Sequence, residues 1–142
     1  VRFRVIGDKE KLDKSLRKKI DKLENDTKHF KKTLNVAINY GGRDEIVKAS
    51  QAFARDVADG KRKPEELTED VFEQYLYSGG IPSPELLIRP GGEQRLSNFL
   101  LWQCAYAEFY YTDVLWPDFS KEELHKAIIA FQKRNRRFGG LK

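Results

Sequence analysis

Leu86-Leu87-Ile88-Arg89-Pro90-Gly91-Gly92-Glu93-Gln94-Arg95-Leu96-Ser97-Asn98-Phe99-Leu100-Leu101-Trp102 is the stretch from which the fold is read. It opens with an apolar run short enough for a buried strand and closes with one that reads as a helix. Between them lies a loop with two glycines, two arginines, a glutamate, a serine and an asparagine. Gly91 and Gly92 let the backbone turn sharply and allow a ligand to come close. Arg89 and Arg95 each carry a planar fork of donors suited to phosphate oxygens. Ser97 or Asn98 is placed to cap the helix expected next, whose free N–H groups also favour an anion. The competing reading has Arg89 and Arg95 paired with Glu93 across an ordinary strand–helix loop. The density of donors favours an anion site.

Working outward, 142 residues suffice for one domain with a real core. No apolar run approaches membrane-spanning length, and no signal peptide is visible. One cysteine, Cys104, excludes an internal disulfide; it sits in an apolar run, where packing is its expected role. That cysteine usage fits a reducing cytoplasm. His29 and His125 lie far apart with no ligand-like spacing. A net charge of +5 suits an anionic substrate, a membrane surface or nucleic acid and does not choose among them. The chain holds no methionine and begins inside a strand-like stretch. The expectation is therefore a fragment or a processed half.

Along the chain, Val1, Phe3 and Val5 alternate with Arg2 and Arg4, which predicts a strand ended by Gly7-Asp8. Leu12, Leu16, Ile20 and Leu23 recur at helical spacing among charges. Leu34, Val36, Ile38 and Tyr40 alternate with Asn35, Ala37 and Asn39, predicting a second strand. Asn39-Tyr40-Gly41-Gly42-Arg43 then turns into a helix whose inner side is read as Ile46, Val47, Ser50, Phe53, Ala54 and Val57. Such strand–glycine–helix junctions are where open α/β sheets bind ligands. Thr68 is placed to cap a short helix bearing Val71, Phe72, Tyr75 and Leu76. Glu108 to Thr112 reads as a last strand, rich in aromatics. Ser120-Lys121-Glu122-Glu123 has the pattern of a capping box, opening a helix with Leu124, Ile128, Phe131 and Phe138 on one side. Strands alternating with helices imply an α/β fold with a mainly parallel sheet and flanking helices.

The loop stretch, together with Ala105-Tyr106-Ala107-Glu108-Phe109-Tyr110, Asp113-Val114-Leu115-Trp116-Pro117-Asp118-Phe119, Asn39-Tyr40-Gly41-Gly42-Arg43 and Arg137-Phe138-Gly139, resembles the cis-prenyltransferases. These enzymes condense isopentenyl diphosphate with an allylic prenyl diphosphate, in cis geometry, to give a long polyprenyl diphosphate. The resemblance implies that residues 1–142 are the C-terminal segment of one larger domain. Its upstream portion would carry an Asp-Gly-Asn motif whose aspartate holds Mg2+, and this segment alone would be inactive. It implies that Arg89, Arg95 and Ser97 bind the diphosphate of isopentenyl diphosphate. Glu93 would orient the arginines or sit near the proton that is lost, and Glu108 would hold magnesium on that diphosphate. Asn39 and Arg43 would lie near the active site, with loop-fixing hydrogen bonds as the competing role. Residues 105–119 would join a homodimer interface, and Arg137 with Gly139 would bring the tail to a second subunit's site. Pro90 departs from the small or hydroxylated residue expected there and would stiffen the loop. A cytoplasmic location follows, with transient membrane-surface contact as product leaves.

Two other classes compete. A non-catalytic partner subunit of a heteromeric prenyltransferase need not keep a whole substrate site, yet the loop is intact here. A nucleic-acid module would cluster its cations with exposed aromatics, whereas the lysines are scattered over predicted helices.

Overall fold

The computed structural model describes residues 1–134. In chain order these form β1 (Arg2–Ile6), α1 (Lys14–Thr27), β2 (Thr33–Ala37), α2 (Gly42–Ala58), α3 (Glu69–Tyr75), β3 (Leu86–Pro90), β4 (Glu108–Thr112) and α4 (Lys121–Gln132). The α/β class with parallel strands is as expected, but the described strands form two parallel pairs, β1–β2 and β3–β4, in place of one continuous sheet. Two compact units follow. One holds Val1–Ile81 with Asn98–Leu100, the other Pro82–Ser97 with the described residues from Leu101 on.

In the first unit, β1 pairs with β2 from Arg2↔Thr33 to Ile6↔Ala37. The other edge of β1 is closed by side chains of α1. The Phe3 N–H donates to Thr27 Oγ1 at 3.0 Å and the Val5 N–H to Glu24 Oε1 at 2.6 Å. Edge N–H groups left without partners would be costly once shielded from water. Asp13 caps α1 by accepting from the Ser15 N–H, and Ile20 is the residue of α1 that is fully buried. Gly7 ends β1 at φ 125°, where a Cβ would stand 2.1 Å from the Ile38 carbonyl oxygen. Only glycine fits that crossing.

The inner face of α2 differs from the sequence expectation. Its buried positions are Gly42, Glu45, Ala49 and Phe53, whereas Val47, Ser50 and Ala54 are exposed. The helix is rotated toward Glu45, which is 1% exposed and accepts from the Tyr40 hydroxyl and the Ser78 N–H. Hydropathy cannot place a buried carboxylate that finds its donors through tertiary structure. Helix α2 meets α3 through Phe53 edge-on to Tyr75 at 5.6 Å, and the Tyr75 hydroxyl donates to Asp56. Thr68 caps α3 as expected, and Phe72 and Leu76 are buried.

In the second unit, β3 runs parallel to β4 from Leu86↔Glu108 to Pro90↔Thr112. Cys104 is buried, and that burial pushes its thiol above the ordinary range. Ser120 caps α4 through the Glu123 N–H. The apolar side predicted for α4 does not face inward. Ala127 is the buried residue, Phe131 is half-buried, and Leu124 and Ile128 are exposed. A small alanine lets a helix approach its neighbour closely, and that turns the larger side chains outward. Phe138 lies outside the described residues.

The helix expected after Ser97 is also absent; residues 97–106 form a succession of turns and bends. Ser97, Asn98 and Leu100 have φ of 49°, 65° and 47°. Three left-handed residues within four positions stop a right-handed helix from starting.

Candidate functional site

The site begins at the C-terminal end of β3, where Arg89 stands opposite Tyr111. The chain then folds back over the end of β4. The Gly91 N–H donates to the Val114 carbonyl and the Gly92 N–H to the Thr112 carbonyl, each at 2.9 Å. Both glycines have positive φ, 92° and 77°. This double turn returns the chain so that Arg89 reaches residues six and eight positions further on. Its Nη1 donates to the Arg95 carbonyl and, at 3.1 Å, to Ser97 Oγ. Arg95 Nη1 forms an ion pair with Glu93, and both side chains are largely exposed.

Arg89, Glu93, Arg95 and Ser97 therefore lie in one short loop. The pairing of Arg95 with Glu93 is the competing expectation from the sequence, and it coexists with the cluster. An exposed pair of this kind contributes about 0–1 kcal/mol, so an incoming anion with two or more charges can displace it.

Glu108 does not join this cluster. It opens β4 opposite Leu86, three positions before the partner of Arg89. Alternation sends Glu108, Tyr110 and Thr112 to one face, and Phe109 and Tyr111 to the other. Phe109 and Tyr111 confirm the second face by stacking at 6.1 Å. Arg89, in register with Tyr111, shares that second face. Glu108, expected to hold magnesium on the diphosphate, thus stands on the opposite face of the β3–β4 pair from Arg89 of the same chain. Glu108 instead pairs with Arg134 Nη1 at 2.7 Å. Among the described residues, no three His, Cys, Asp or Glu side chains gather as a metal cage. In the loop itself Glu93 is the one carboxylate, and it is paired with Arg95.

Asn39 and Arg43 belong to the first unit. Asn39, at φ 49°, donates from Nδ2 to the Asp8 carbonyl at 3.0 Å, and the Asp8 N–H donates back to the Asn39 carbonyl at 3.1 Å. These bonds tie together the ends of two adjacent parallel strands, which is the loop-fixing alternative. The Arg43 N–H donates to Asn98 Oδ1 at 2.8 Å, and the residue is exposed. Arg137 and Gly139 lie outside the described residues.

Sequence reasoning passed over Asp8 as a turn residue. It is 5% exposed and binds Lys48 Nζ, with Lys11 Nζ at 3.3 Å. The hydrogen bond from Lys48 holds its carboxyl below the ordinary range, against the opposing effect of burial. An open cavity of about 450 Å³ borders Asp8, Lys48, Gln51, Arg55 and Tyr77. The signal was present: Gly7-Asp8 follows an alternating strand and precedes a helix, as the Gly41-Gly42 junction does.

A prenyltransferase family profile, described as undecaprenyl diphosphate synthase, matches residues 1–139. The chain is 52% identical over 137 residues to an isoprenyl transferase of Clostridium tetani, covering 96% of this chain and 54% of that protein. It is 49% identical over 140 residues to a tritrans,polycis-undecaprenyl-diphosphate synthase (geranylgeranyl-diphosphate specific) of Thermoplasma acidophilum, covering 98% and 54%. Among solved structures, lavandulyl diphosphate synthase from Lavandula x intermedia, in complex with dimethylallyl diphosphate, superposes with TM-score 0.93 at 42% identity. That match covers 98% of this chain and 60% of the other. The chain spans about half the length of the curated relatives it matches.

Proposed function

The chain belongs to the cis-prenyltransferase family, and on that premise we propose that its Arg89–Ser97 loop is the isopentenyl diphosphate site of a prenyl-elongating enzyme. The reaction proposed for the whole protein condenses isopentenyl diphosphate with an allylic prenyl diphosphate, in cis geometry, to a long polyprenyl diphosphate. The observation that carries the reading is the double glycine turn at the end of β3. It brings two guanidinium groups and a hydroxyl into one exposed loop, with the one carboxylate there already partnered.

In this reading Arg89 and Arg95 hold the diphosphate by charge-assisted hydrogen bonds and Ser97 adds a hydroxyl donor. Glu93 keeps Arg95 oriented in the free loop. With diphosphate on Arg95, its carboxylate is released beside the substrate as an acceptor for the proton lost on condensation. Asn39 fixes the loop ends of β1 and β2, and Arg43 offers a further exposed cation. Arg137 is proposed to reach a substrate from the tail.

Magnesium is proposed as a cation arriving with diphosphate, because it binds through one or two carboxylates together with phosphate oxygens. Glu108 is the carboxylate proposed for it. Its place on the face away from Arg89 suits a diphosphate bound by a second subunit. A homodimer is proposed through residues 105–119, where Tyr106, Leu115 and Trp116 are exposed at 81%, 60% and 74%. Among the described residues no helix is long and apolar enough to cross a membrane. We place the protein in the cytoplasm, touching membrane when product leaves.

Calorimetric titration of isopentenyl diphosphate into the full-length protein tests the site. The Arg89→Ala/Arg95→Ala double variant is expected to lose binding at concentrations that saturate the parent. Undiminished binding by a folded double variant would place the diphosphate elsewhere.

A further inference from the structure

We propose that Asn98 is a positioning residue for the diphosphate loop, acting through the N-terminus of α2; this rests on the function proposed above. Gly41 is the N-cap of α2 and has no side chain with which to cap it. The missing acceptors come from Asn98, 55 positions beyond Arg43. The Gly42 N–H donates to the Asn98 carbonyl at 2.7 Å, and the Arg43 N–H donates to Asn98 Oδ1 at 2.8 Å. Two of the four N–H groups that any helix start leaves open are thereby satisfied.

Three features of the sequence serve this one contact. Asn98 sits at φ 65°, a conformation that asparagine adopts far more readily than most residues, and it places carbonyl and side-chain oxygen toward the same helix start. Gly41 leaves room for it, since a Cβ there would stand 3.1 Å from Asn98 Nδ2. Phe99, the next residue, packs edge-on against Tyr40 at 5.7 Å. The chain is thus held immediately beyond Ser97, the hydroxyl that accepts from Arg89. The loop is fixed at its entry by β3 and at its exit by Asn98. Between these points the two arginines need little reordering to receive a diphosphate, and preorganisation of that kind raises affinity. The same contact removes the start of α2 as an anion site, because Asn98 occupies its first donors.

The test compares the full-length enzyme with its Asn98→Ala, Asn98→Asp and Gly41→Ala variants, measuring KM for each substrate separately. Asn98→Ala is expected to raise KM for isopentenyl diphosphate about tenfold, with KM for the allylic diphosphate within about twofold. Asn98→Asp is expected to stay within about threefold of the parent, because a carboxylate accepts the same N–H at a helix start. Gly41→Ala, which crowds the Asn98 amide, is expected to follow Asn98→Ala and serves if that variant folds poorly. A lower thermal midpoint with KM for isopentenyl diphosphate unchanged would reduce Asn98 to a helix cap and overturn the proposal. Equal rises in both KM values would overturn it as well. Arg89→Ala in the same assay separates the two levels of argument. If it raises KM for isopentenyl diphosphate and Asn98→Ala does not, the positioning role alone fails; if it leaves that KM unchanged, the proposed function fails.

Discussion

Replacing Arg89 by alanine removes the group around which the loop closes. In the free protein the change deletes donation from Nη1 to the Arg95 carbonyl and to Ser97 Oγ at 3.1 Å. In the proposed complex with isopentenyl diphosphate it deletes one charge-assisted contact. Such a contact contributes about 1.5–3 kcal/mol, which corresponds to roughly 10- to 150-fold in affinity. The lost loop contacts act in the same direction, since a looser loop must be ordered when substrate binds. Arg89→Lys keeps the charge but loses the planar fork, so its effect should fall between those of the parent and of alanine. The assay is incorporation of radiolabelled isopentenyl diphosphate by the full-length enzyme, with each substrate varied in turn. KM for isopentenyl diphosphate should rise by about tenfold or more. KM for the allylic diphosphate should move far less. A selective rise in the allylic KM, or equal effects on both, would show that this loop holds a different diphosphate.

Three further outcomes test the structure beyond the loop. Phe53→Ala empties a buried position beside Tyr75 and should cost about 3–5 kcal/mol of unfolding free energy, read from urea denaturation; a loss below about 1 kcal/mol would contradict the burial. Gly7→Ala sets a Cβ 2.1 Å from the Ile38 carbonyl at a φ of 125°, so the loop must distort; faster proteolysis within residues 1–81 and a lower thermal midpoint are expected, and an unaltered midpoint would argue against this crossing. Asp8 has a folded pKa below its ordinary value, chiefly through Lys48, so its stabilising effect is present above the ordinary carboxylate range and is lost as pH falls through the lower folded value. Thermal midpoints should therefore decline on the acid side of about pH 4, and Lys48→Met should flatten that decline; an identical acid limb in the variant would remove Lys48 as the cause.

The sequence by itself was enough for several features set by local periodicity and turn chemistry. Strand β4 spans Glu108 to Thr112 as its aromatic run predicted, Thr68 caps α3, and Arg89 stands at the end of β3 before two glycines of positive φ. Motif resemblance carried the family assignment, since matching runs in order need no coordinates. What failed locally failed because the deciding partner lay far along the chain. Glu45 is buried because Tyr40 and Ser78 supply donors, and that turned α2 away from its hydropathy stripe. Asn98 caps α2, a helix 55 positions earlier in the sequence, in place of one of its own. Glu108 and Arg89, read from two separate stretches of the sequence, stand on opposite faces of the β3–β4 pair, because strand register and alternation decide orientation and only the fold sets the register. Ala127, not Leu124 or Ile128, is the buried residue of α4, leaving an apolar face exposed. Spacing along a chain names the chemistry that is present; which groups can act on one ligand is decided by where tertiary contacts turn each side chain.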